Sequence, residues 1–118
     1  MLKEFSVEFE KLDLSGAELK DLDLSGLDFE GSNLQMSDLE GADLRKVDFE
    51  DADLRGADLK EADLRGAEFK GTQLNSAEFD GADVRGVDFG EAVGITAAQL
   101  SEACFDASTK AAAGVFDV

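Results

Sequence analysis

With 118 residues and a mass of 12.6 kDa the chain has room for one core. Its 28 acids against 11 bases give a net charge of −17, which argues against nucleic-acid phosphates and anionic membranes as direct partners and favours basic proteins. A single cysteine, Cys104, and no histidine exclude an internal disulfide and the usual zinc, copper and haem ligand sets, so no metal and no cofactor is expected.

Residues 1–6 form a short lead-in without an apolar run of signal-peptide length, and nowhere is there a stretch fit to span a membrane. A cytoplasmic protein is the expectation. From Val7 to Glu91 the chain divides into seventeen five-residue units without insertion or deletion, as in Ala52-Asp-Leu-Arg-Gly56 and Ala62-Asp-Leu-Arg-Gly66. The central position holds ten Leu, six Phe and Val84, and the position two before it is small or aliphatic, so both face inward. Apolar spacings of two and then three fit neither a helix nor a continuous strand. A short extended stretch followed by a corner satisfies both. Glycine fills nine of the seventeen last positions, supplying the positive φ that tight turns use, and a different turn type is expected where Lys11, Asp21, Lys46 or Glu61 replaces it.

A longer period lies within the short one. Phe9, Phe29, Phe49, Phe69 and Phe89 are twenty residues apart, and Val7, Leu27, Val47, Ala67 and Val87, mostly larger than the typical alanine, repeat that spacing two positions earlier. Four units therefore make one turn of a square coil, with the phenylalanines stacked as an internal ladder along one side and Phe79 outside it. At a strand spacing of about 4.8 Å, a little over four coils make a prism roughly 20 Å tall.

These tandem Ala-(Asp/Asn)-Leu-x-x units resemble the pentapeptide-repeat family over 85 of 118 residues. The resemblance implies a right-handed quadrilateral β-helix, an all-β solenoid whose handedness spacing alone does not give.

Residues 92–118 read as a cap for the open end of the coil, which would otherwise invite association. Ile95 to Phe105 reads as a short helix, with Thr96 as N-cap, Gln99 completing a capping box, and Ile95 and Leu100 at staple positions. Leu100, Ala103 and Cys104 share one side, so Cys104 is expected to be buried. Phe105, Asp106 and Thr109 resemble caps common in the family. The tail, with Val115, Phe116 and Val118, is either further capping or a dimer contact, so the chain is a monomer or a C-terminal homodimer.

No enzyme is expected, because no nucleophile has a plausible base. Asp21-x-Asp23-x-Ser25-Gly26 matches the start of a calcium loop but has Ser32 where a bidentate Glu is needed. Charge is distributed unevenly over the four sides. The phenylalanine side carries Glu8, Glu10, Asp28, Glu30, Asp48, Glu50, Asp51, Glu68, Asp88 and Glu91 against Lys11 and Lys70. Eight acids face Lys20 and Lys60 on the opposite side, whereas Arg45, Lys46, Arg65 and Arg85 balance four aspartates on a third. Asn33, Gln35, Gln73 and Asn75 make the fourth amide-rich.

The first functional expectation is a non-catalytic interaction module for a protein partner that the sequence does not name. The second comes from the family resemblance: some pentapeptide-repeat proteins mimic B-form DNA and bind DNA gyrase, giving quinolone resistance. The acidic walls of this chain are similar, though it is short and lacks the projecting loops some of those proteins use.

Overall fold

In a computed structural model of the chain, residues 12–111 are described, and they wind as a four-sided coil. Phe9, Glu8, Glu10, Lys11 and the tail residues Val115, Phe116 and Val118 lie outside the described residues. Single-residue parallel bridges join positions twenty apart, from Asp13 with Asn33 to Asp63 with Asp83, without a slip in register. The four coils run over residues 12–31, 32–51, 52–71 and 72–91, and each face is named here by its side chains: amide, lysine, arginine and phenylalanine, in chain order.

One unit, Ala52 to Gly56, explains why five residues suffice. Ala52 N–H closes the corner onto Phe49 C=O at 2.9 Å, and Asp53 N–H reaches back to Ser32 C=O at 3.0 Å. Leu54 and Gly56 donate forward to Gln73 and Asn75 at 2.8 and 3.0 Å. The remaining amide, Arg55 N–H, donates to the Asp53 carboxylate at 3.1 Å. All five donors are thus paired, which a buried chain of minimal strands requires. The aspartate before each central residue is therefore a turn clamp as well as a surface charge. Asp28, Asp48, Asp63 and Asp83 repeat the bond to the amide two residues on.

The corners correct one expectation. Asp21, Lys46 and Glu61 do not change the turn: they hold φ of 61°, 60° and 63°, beside 70–79° at the repeat's glycines. A positive φ at the second central residue is the type II signature, and the fixed cross-coil bonds hold a non-glycine residue there at roughly 1 kcal/mol of strain or more. What makes this tolerable is the neighbour one coil on. Asp21, Met36, Asp51 and Glu61 lay their side chains over Gly41, Gly56, Gly71 and Gly81, where a Cβ would collide with them. Filled and empty corners alternate along three of the four edges; on the fourth, Gly66 and Gly86 follow one another. The departure comes instead at Gly90–Glu91, neither of which has a positive φ, although Ala92 N–H still closes the corner on Phe89 C=O.

The interior holds the expected ladder. Phe29, Phe49 and Phe69 stack at 5.9 and 5.4 Å with interplanar angles of 11° and 20°. Phe89 follows at 5.1 Å but tilts by 31°, and Phe79 meets it edge-on at 5.7 Å from the opposite wall. Thr72, buried at an otherwise alanine-rich position, donates its hydroxyl to Phe49 C=O at 2.6 Å. Among the described residues, Ser37 Oγ is the buried side-chain atom left without a partner.

The C-terminal cap is shorter than the sequence suggests. Helix α1 covers only Ala97–Leu100. Its capping box forms as expected, with Thr96 N–H donating to Gln99 Oε1 at 2.7 Å and Gln99 N–H to Thr96 Oγ1 at 3.2 Å. Gln99 Nε2 also donates to Leu74 and Ala77 C=O at 2.8 and 3.0 Å, sealing carbonyls of the last coil, while Leu100 is fully buried. The chain then returns to the ladder: Cys104 bridges Asp83 and Lys110 bridges Asp88. That pairing ends the helix. It also turns Cys104 outward, because it takes the place of the outward-facing aspartate, so Cys104 is exposed rather than buried. Phe105 is 45% exposed, and Thr109 plugs the end instead, donating its hydroxyl to Val84 C=O at 2.9 Å.

Candidate functional site

Because the core is continuous and the register fixed, chemistry is confined to the walls. On the phenylalanine face, Asp28, Glu30, Asp48, Glu50, Asp51, Glu68, Asp88 and Glu91 lie among the described residues. One oxygen of Asp28, Asp48 and Asp88 accepts the amide of Glu30, Glu50 and Gly90 at 2.9, 2.9 and 2.8 Å. The carboxylates also crowd one another. Carboxylate atoms of Asp28, Glu30 and Asp48 lie within 4.8 Å of one another, as do those of Glu30, Glu50 and Asp51. Like charges so close repel by about 1 kcal/mol in water and by more near a protein surface. A cation or a cationic side chain laid along the column relieves this.

Between described residues, the ion pairs fall on the other three faces. The lysine face holds a similar cluster, Asp38, Glu40 and Asp58, but Lys20 approaches Glu40 at 3.7 Å and Lys60 approaches Asp58 and Glu78 at 3.6 and 3.7 Å.

The arginine face neutralises itself more completely. Arg45, Arg65 and Arg85 each clamp the aspartate two residues before, with Nε at 2.9 Å from one oxygen and Nη2 at 2.6–2.7 Å from the other. Arg65 also reaches Asp83 one coil on, at 3.4 Å. These bidentate bonds hold the carboxyls of Asp43, Asp63 and Asp83 below the usual range and push the Arg45 and Arg85 guanidinium groups further into the charged form. On the amide face Asn33 clamps Gln35 N–H at 3.0 Å, and Met36 stands 70% exposed.

The spacing located the charge columns but not the clamps. Asp and Arg two residues apart fit a shared-side pairing, and the repetition Asp-x-Arg was the signal for it. Cys104 and Phe105 stand at the far end of the coil, away from these columns, and Thr96 and Gln99 act in the cap alone.

Parallel single-residue bridges, four faces and inward apolar pairs define a quadrilateral β-helix solenoid. A family model described as a pentapeptide repeat region matches residues 4–79. Among solved structures, the pentapeptide-repeat protein Rfr23 from the cyanobacterium Cyanothece 51142 is 30% identical, over 86% of this chain and 61% of its own, with a TM-score of 0.50. The chain thus spans 61% of the length of Rfr23. The pentapeptide-repeat protein alr5209 from Nostoc PCC 7120 is 25% identical over 92% and 88% of the two chains, at a TM-score of 0.46. AT2G44920, from the thylakoid lumen of Arabidopsis thaliana, is 35% identical over 72% and 66%, at a TM-score of 0.40. No curated protein matches. The chain belongs to the pentapeptide-repeat family, and its fold is the right-handed quadrilateral β-helix.

Among the described residues, no helix is long and apolar enough to cross a membrane.

Proposed function

We propose that the chain is a non-catalytic interaction module whose phenylalanine face docks a basic surface of a protein partner. The supporting observation is the contrast between walls: carboxylates on the arginine face are clamped by bases, whereas those of Asp28, Glu30, Asp48, Glu50 and Asp51 crowd one another. Crowded columns of like charge raise the encounter rate with an oppositely charged partner and sharpen its orientation. We place this binding in the cytoplasm, where an exposed free thiol such as Cys104 persists in reduced form.

The test uses a variant carrying Glu30→Lys, Glu50→Lys and Asp51→Lys. These positions spare the turn-clamping aspartates, and Lys46 shows that a corner accepts lysine. Affinity capture from the host should retain a partner on the wild-type protein and lose it on the variant. Equal retention by both would move the interface to another wall and refute the assignment.

A second reading, DNA mimicry of a type II topoisomerase substrate, rests on the same column. In a DNA gyrase supercoiling assay the wild-type protein then inhibits, with an effect that weakens steeply as salt rises, and the variant does not. Absence of inhibition at low salt would eliminate this reading and leave the first.

A further inference from the structure

Among the described residues, the ladder of the phenylalanine face opens at one place. In the two preceding rungs it is complete: Phe29, Phe49 and Asp51 donate to Asp48, Glu68 and Lys70 C=O at 2.8–2.9 Å, and Glu68 N–H returns to Val47 C=O at 3.0 Å. In the next rung the equivalent bonds are missing. Phe69 and Gly66 N–H do not pair with Asp88 and Arg85 C=O, Asp88 N–H does not pair with Ala67 C=O, and Glu68 forms no bridge with Asp88. Three donors and three acceptors of a parallel ladder thus face an opening of about 390 Å³.

Its origin is the corner at Gly90–Glu91. Without a positive φ there, the peptide between the two central residues turns over, and Gly71 N–H finds Glu91 C=O at 2.9 Å instead of the carbonyl of residue 90. On its far side the same rung is tightly held, with Phe89 N–H on Lys110 C=O at 2.7 Å and Lys110 N–H on Val87 C=O at 2.8 Å. The rung thus pairs with the cap and parts from the coil before it. Glu68, Asp88 and Glu91 line the recess with Lys70, leaving an excess of negative charge, and Asp88 commits one oxygen to Gly90 N–H.

Unpaired main-chain groups in a ladder are a template for another main chain, and the acidic rim selects the charge of its side chains. The volume falls within the roughly 300–1,000 Å³ of ligand sites. We propose that this opening is a docking slot for an extended, basic segment of the protein partner: its main chain takes up the freed groups of Gly66, Phe69 and Asp88, and its arginines or lysines meet Glu68, Asp88 and Glu91. The slot deepens the reading of the phenylalanine face as a docking wall and rests on it.

The probe is a blocked hexapeptide of alternating arginine and threonine, with two controls: the same peptide N-methylated along its backbone, and a glutamate–threonine counterpart. Binding to the full chain is followed by amide NMR. The basic peptide should shift the resonances of Gly66, Phe69 and Asp88, and its affinity should fall at least tenfold on N-methylation and in the Glu68→Lys/Glu91→Lys variant. No binding at millimolar peptide overturns the proposal. So does equal binding of the N-methylated peptide with shifts spread over Glu30 to Asp51, which would mean attraction by charge alone. Hydrogen exchange tests the opening itself: amides of Gly66, Phe69 and Asp88 should exchange far faster than Phe49, and equally slow exchange would mean a closed ladder. A partner lost by the Glu30/Glu50/Asp51 lysine variant but retained by the Glu68/Glu91 one would leave the docking wall standing and remove the slot.

Discussion

The arginine and phenylalanine faces share one backbone and one register, yet they dispose of their carboxylates in opposite ways. On the arginine face Asp43, Asp63 and Asp83 each hold a turn amide with one oxygen and a guanidinium with both, so their charge is paired within the wall. On the phenylalanine face Asp28 and Asp48 make the same amide bond, but their carboxylates lie within 4.8 Å of that of Glu30. Folding needs only the amide bond, which both walls possess. What differs is the residue after the centre, arginine at 45, 65 and 85 on one wall and glutamate at 30 and 50 on the other, and that position sets whether the carboxylates are clamped or crowded.

The interior side of the comparison gives the largest expected effect. Phe49→Ala empties the middle of the ladder and should cost about 3–5 kcal/mol in urea denaturation, where a cost near that of a surface change would mean the column does not face inward. Corners should matter less, and unequally. Gly71→Ala, at the edge of the phenylalanine face, meets Asp51 and should cost about 1–2 kcal/mol, against about 1 kcal/mol for Gly26→Ala at the edge of the arginine face, where nothing lies within 4 Å. Adding Asp51→Gly to Gly71→Ala removes the colliding side chain and should restore most of the loss, and failure to do so would discard the packing of filled corners over empty ones.

The smallest effect belongs to the walls. Arg65 lowers the carboxyl of Asp63 and adds to the lowering of Asp83 by Arg85, so its contribution is complete above the unfolded carboxyl value of about 4 and fades as pH falls through the lower folded one. For partly exposed pairs it amounts to about 0.5–1 kcal/mol. Thermal unfolding should therefore show a shallower fall between pH 5 and about 2.5 in Arg65→Gln than in the wild type, and parallel curves would show the clamp to be energetically silent.

Much of this architecture was legible because the period of five and the longer period of twenty are both written in side-chain size. Phe29, Phe49, Phe69 and Phe89 gave the ladder, and Thr96 with Gln99 gave the capping box. Other features depend on choices that side-chain type does not encode. Ile95 to Phe105 satisfies a helical pattern, but pairing of Cys104 with Asp83 draws the chain back into the ladder after one turn, and long-range hydrogen bonds override local preference. Burial of Cys104 failed with that helix. Lys46 and Glu61 suggested new turns because glycine is the usual holder of a positive φ, whereas the cross-coil bonds impose it on them regardless. The charge columns of the candidate wall were visible from spacing; the opening at Phe69 was not, since it follows from a peptide orientation at Gly90–Glu91.

The alternation at the corners bears on how such a rod can lengthen. Gly16, Met36, Gly56 and Ser76 occupy one edge, and Asp21, Gly41, Glu61 and Gly81 the next. Duplicating a single twenty-residue coil would set one side chain upon another, or leave two glycines adjacent. Copying forty residues reproduces the alternation on these edges. The module that gene duplication could multiply without repair is thus a pair of coils, twice the geometric repeat.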